Sequence, residues 1–153
     1  MTAKAAACLA ATTSAALYLG KPLGYASGAL GLLAAGLAVF SRPIWGAEVL
    51  FCLAGATLAF LAQCYYGLRV LFDAHLFAQL AARLSAEDEA DTLATELGHL
   101  DQALYSLKLA PKPSAPPRRL EARVQGALRL LKCQAGCLLG QLIFLGAALL
   151  TSL

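Results

Sequence analysis

Apolar positions along this chain come in long unbroken runs. Residues 5–20, 22–41, 49–68 and 133–153 contain no Asp, Glu, Lys or Arg. These runs are 16, 20, 20 and 21 residues long, and about 20 apolar residues carry a helix across the hydrocarbon core of a bilayer. Lipid offers peptide groups no hydrogen-bond partner, so a spanning segment must satisfy its own backbone by coiling. The pattern predicts an all-α integral membrane helical bundle of four transmembrane helices, or three if the first segment does not span. Segment 5–20 is short and mostly Ala, Thr and Ser, so its insertion energy is small. A cleaved leader is its rival reading, but Lys4 is a thin basic region and no clean cleavage signal follows. Pro22 and Pro43 mark helix starts, where a missing N–H leaves no bond unmade. The second and third membrane helices are therefore expected over 22–41 and 44–68.

Beyond Leu68 the pattern turns amphipathic. Leu68, Phe72, Leu76, Leu80 and Leu84 recur every four residues, with Leu71 and Phe77 beside them. This spacing predicts that the third membrane helix continues out of the bilayer. Ser85 then reads as an N-cap, with Glu87 and Asp88 in the first turn, where the helix end is positive. Ala86, Ala90, Leu93, Leu97, Leu100, Leu104 and Leu107 follow at alternating spacings of four and three, a heptad seam. Residues 69–110 are thus expected to form a cytoplasmic helical hairpin. The leucine seam is covered either by the 69–84 helix or by a second chain. Pro111, Pro113, Pro116 and Pro117 make 111–117 a stiff linker. A basic juxtamembrane turn and the final membrane helix fill 118–153.

Charge gives the orientation. Of the 12 basic and 9 acidic groups, 9 and 8 lie between residues 69 and 132. Lys/Arg-rich loops stay in the cytoplasm, which places this block inside a multi-pass protein of the cell membrane, of the bacterial inner-membrane kind. Arg118, Arg119, Arg123, Arg129 and Lys132 stand where anionic headgroups lie. Each base near such a surface is worth about 1 kcal/mol, although plain topology signalling explains them without a specific lipid. Trp45, and Tyr65 with Tyr66, fit the two interfaces of the third helix. With 59% hydrophobic residues and 14% charged, a soluble globule and a disordered chain are excluded, since soluble domains carry about 25% charged residues.

Candidate chemistry is sparse. Glu48 is the one carboxylate inside an apolar segment, which by default is a functional position, though five residues past Pro43 it can also reach the outer interface. Gln63, Gln134 and Gln141 are expected to bond between helices rather than line a pore. Cys133 and Cys137 are one turn apart, but two ligands fall short of the four a structural zinc site takes. His75 and His99, with Asp73 and Asp101 nearby, read as solvated residues or a pH-sensitive pair. Gly24 with Gly28, and Gly136 with Gly140, are GxxxG pairs, and Ala3, Ala7, Ala11 and Ala15 make a small-residue face. Close helix contact within one chain is their expected use and a dimer contact the alternative. The residues carry no catalytic triad, P-loop or dinucleotide fingerprint, so no cofactor is expected. Nor do bases and aromatics interleave as nucleic acid would require. The reading is a non-enzymatic scaffold or interaction protein, partnered by the lipid bilayer and by itself or another membrane protein through its cytoplasmic helices. The alternative is a small transport or pore-forming subunit using Glu48 and the glutamines.

Overall fold

A computed structural model describes residues 2–40, 46–86, 92–106, 108 and 119–151. Five helices appear in it: α1 (Ala3–Tyr18), α2 (Gly20–Phe40), α3 (Ala47–Ala86), α4 (Thr92–Ser106) and α5 (Leu120–Thr151). Only a turn at Leu19 separates α1 from α2. Three helical stretches are long and apolar enough to cross a membrane, namely Ala3–Val39, Ala47–Ala86 and Leu120–Thr151. The chain is therefore that of a multi-pass helical membrane protein. Arg42, Pro43, Trp45, Glu87, Asp88 and the 111–117 linker lie outside the described residues.

The helices form two compact units, Met1–Leu17 with Phe72–Leu128, and Tyr18–Leu71 with Arg129–Leu153. The second unit is a three-helix bundle of α2, the first part of α3 and the last part of α5. Close approaches within it fix the helix directions. A Cβ at Gly20 would meet Val70 and Gln134, one at Gly31 would meet Phe60, and one at Gly55 would meet Phe144. So α3 runs opposite to α2 and α5. The bundle is inverted in polarity compared with a soluble one. Leu32, Phe51, Leu58, Leu61, Ile143 and Leu150 point outward, Leu32 being 77% exposed. Ser27, Gln63, Gln134 and Gln141 are buried. This is the arrangement expected in lipid, where Leu gains nothing by leaving the solvent and small or polar side chains supply the contact. Towards the Arg42 end the seam becomes apolar, with Ala34, Val49, Leu53, Ala56, Leu145 and Ala148 in one cluster.

Burial along the long helices repeats every seven residues. On α5 Leu120, Ala127, Gln134, Gln141 and Ala148 are buried at seven-residue spacing, with Val124 and Leu145 buried between them, and on α3 the same spacing holds Val49, Ala56, Gln63, Val70, Phe77 and Leu84, with Leu53, Ala74, Leu80 and Ala81 between them. A strict seven-residue repeat is the signature of left-handed, knobs-into-holes packing. The expected stripe on α3 holds in its later part, where Phe77, Leu80 and Leu84 are buried. It is corrected at its start, where Leu68 and Phe72 are exposed and Val70 and small Ala74 are buried instead.

The first unit gathers α1, residues 72–86 of α3, α4 and residues 119–128 of α5. The inner face of α1 is small: Ala3, Ala6, Ala7, Ala10, Thr13, Ser14 and Leu17 are buried. Ser14 donates to the Ala74 carbonyl at 3.0 Å. The predicted Ala face is half right, because Ala11 and Ala15 are exposed.

The glycine pairs also need correction. A Cβ at Gly24, Gly28, Gly136 or Gly140 would meet nothing within 4 Å, so among the described residues neither GxxxG is a close helix contact. Gly31 and Gly55 provide such contacts instead, receiving the Phe60 and Phe144 rings at 3.1 and 2.7 Å from where a Cβ would stand. Gly55→Ala should therefore lower the thermal stability of the detergent-solubilised protein relative to Gly24→Ala. Both changes raise helix propensity equally, so the difference isolates the Phe144 clash, about 1–3 kcal/mol for overpacking. Equal melting points for the two variants would contradict this packing.

Candidate functional site

Within the membrane bundle the polar residues form rungs. Gln134 Nε2 donates to the Gly20 carbonyl at 2.9 Å. One heptad on, in both helices, Ser27 Oγ donates to Gln141 Oε1 at 2.6 Å and Gln141 Nε2 donates to the Ser27 carbonyl at 3.1 Å. Gly20 permits the first rung, since a Cβ there would fall 2.7 Å from Gln134 Oε1. Gly67 completes the notch, with its Cβ position 3.4 Å from Gln134 Nε2. Two of the three glutamines singled out in the sequence thus bond between α2 and α5. Gln63 is different, because it is 2% exposed and neither of its amide atoms has a partner among the described residues.

The charged unit is tied by ion pairs. Arg123 on α5 meets Asp101 on α4 at 2.6 Å, with both side chains mostly buried. Arg83 on α3 bonds Glu96 on α4 at 3.0 Å, in a more open setting. Leu97 is buried and Leu100 half-buried, so among the described residues this stretch of the leucine seam is covered by the same chain. Leu93 and Leu104 lie on α4, but their side chains are outside the described set, as is all of Leu107. Between α3 and α4 runs a groove of about 310 Å³ lined by Leu76, Gln79, Leu80, Leu100 and the rim residues Arg83, Glu96 and His99.

The other singled-out residues are dispersed. Arg119, Arg129 and Lys132 are exposed on or beside the start of α5. Arg123 faces Asp101 instead, and Arg118 lies outside the described residues. Glu48 is exposed in the first turn of α3, away from the buried glutamines. His75 and His99 are exposed on separate helices. Among the described residues no group of three or more His, Cys, Asp or Glu side chains is placed to hold a metal, and all five cysteines are free thiols. Sequence reading expected the glutamines to bond between helices but missed their partners Gly20 and Ser27, whose seven-residue spacing matches that of Gln134 and Gln141.

Interhelical hydrogen bonds in membranes average about 0.6 kcal/mol and reach about 1.7. In a double-mutant cycle, Ser27→Ala and Gln141→Leu should couple by about 0.5–2 kcal/mol in unfolding free energy, and strictly additive effects would refute the rung. Asp101→Asn should destabilise the folded protein by about 1–3 kcal/mol, since it leaves a largely desolvated guanidinium short of its counter-charge. Glu96→Gln should stay within about 0.5 kcal/mol, because Arg83 is solvated. Chemical denaturation of the two variants checks the order. Neither a family model, nor a curated protein, nor a solved structure matches the chain.

Proposed function

We propose that the chain is a three-span integral membrane protein without catalytic activity. Its charged helical unit acts as a cytoplasmic scaffold for another protein or a second copy. The carrying observation is the company that α1 keeps. Its small inner face packs in one unit with the charged stretches of α3, α4 and α5, which argues for three crossings rather than four. Under that topology 11 of the 12 basic groups, all but Arg42, fall on one side. Such asymmetry is what the positive-inside rule demands of the cytoplasmic face. The groove between α3 and α4 then faces water, with an apolar floor and a rim carrying both signs of charge. This combination suits capture of an apolar side chain from a partner.

The basic residues Arg119, Arg129 and Lys132 support an accompanying contact with anionic lipid headgroups. A transport or pore role has less in its favour. Gln134 and Gln141 engage neighbouring helices, and Glu48 stands exposed at a helix end.

Native Cys8 is exposed on α1 and reports the topology. In a variant that keeps only Cys8, a membrane-impermeant maleimide should label inside-out vesicles and leave intact cells or right-side-out vesicles unlabelled. Protection from both sides would place α1 in the bilayer and restore four crossings. A photo-crosslinker at His99, on the groove rim, should yield a higher-mass adduct in cells. If only the uncrosslinked monomer is recovered, the scaffold reading falls.

A further inference from the structure

Gln63 is the one glutamine of the seam that stays unmatched. It lies on the buried heptad of α3 with Ala56 and Val70, in a part of the helix whose flanking residues 49–68 carry no charge. Neither its Nε2 nor its Oε1 has a hydrogen-bond partner. Leaving one buried polar group unmade costs about 1–3 kcal/mol, and lipid provides no relief. A second orphan lies close by. Gln134 donates through Nε2 to Gly20, but its Oε1 accepts nothing. The Gln134 amide rests over Gly67, one turn along α3 from Gln63 and on the same face, where Cβ positions are about 5–6 Å apart.

We propose that Gln63 and Gln134 together form an internal binding site for a single water molecule within the membrane bundle. The unmatched set is two acceptor atoms, Gln63 Oε1 and Gln134 Oε1, and one donor atom, Gln63 Nε2, which carries two N–H groups. A water molecule that donates twice and accepts once gives each of these three atoms a partner. Buried waters make about three such bonds. A metal cation fits less well, because it would leave the Nε2 donor unmatched and would find two neutral oxygens and no carboxylate. The site is independent of the scaffold reading. It concerns how the seam tolerates a third glutamine, and it holds whichever partner the charged unit has.

The test uses the full chain, labelled with side-chain ¹⁵N-glutamine and reconstituted in phospholipid bilayers. Solid-state NMR then reads magnetisation transfer from water to each glutamine amide. Exposed Gln79 and Gln102 serve as wet references. Gln141, whose amide is bonded at both ends to Ser27, is the dry one. Gln63 should receive transfer several-fold faster than Gln141. In Gln63→Leu, transfer to the Gln134 side chain should drop to the Gln141 level. A Gln63 as dry as Gln141 would overturn the proposal, as it would if a direct amide-to-amide bond replaced the water. Unchanged transfer to Gln134 in Gln63→Leu would also overturn it, by showing that the two residues share no guest. If Gln63→Leu does not fold, the comparison of Gln63 with Gln141 in the unaltered protein still decides.

Discussion

Polar atoms enclosed by lipid have to find their partners on the next helix, and this constraint organises the membrane bundle. Apolar side chains gain nothing by turning inward there. What draws the helices together is close backbone approach at Gly20, Gly31, Gly55 and Gly67, and the amide bonds that such approach allows. The Gln134 bond to the Gly20 carbonyl shows the dependence plainly. The acceptor is a backbone atom, and Gln134 lies so close to it that a Cβ at position 20 would fall 2.7 Å from its Oε1. The rung at Ser27 and Gln141 follows seven residues later in both helices, so the first contact sets the register of the second.

That seven-residue register has a chemical consequence. On α5 the same buried stripe holds Leu120, Ala127, Gln134, Gln141 and Ala148. The positions are geometrically equivalent and their chemistry differs along the helix. In the charged unit the stripe is aliphatic, and in the membrane bundle it carries amides. Under the proposed topology the first buries Leu away from water, which is favourable at about 25 cal/mol per Å², whereas burying Leu away from lipid gains little.

Much of this was legible beforehand. The charge-free runs pointed to membrane helices, although four runs correspond to three candidate spans, and the clustering of charge between 69 and 132 marked the unit that differs from them. The sequence hid which face of each helix is buried. Leu68 read as the start of a core stripe on hydropathy, yet it is exposed while Gln63, five residues earlier, is buried. In a bundle bathed by oil, size and polarity mark the interior and hydropathy marks the outside, so the soluble rule points the wrong way. The GxxxG pairs misled for a related reason. Gly24 and Gly28 have the spacing that permits contact, but spacing says nothing about the rotation of the helix that would deliver it.

The division between the two levels is physical. Desolvation acts locally, residue by residue, and a linear string records it in full. Helical class, the extent of each apolar run and the segregation of charge were therefore settled by the amino-acid order alone. Pairing depends on where helices distant in sequence come to lie and how each is rotated about its axis. Only the tertiary structure could decide that Gln134 meets Gly20, that Arg123 meets Asp101, that α1 joins the charged unit, and that Gln63 meets no protein partner.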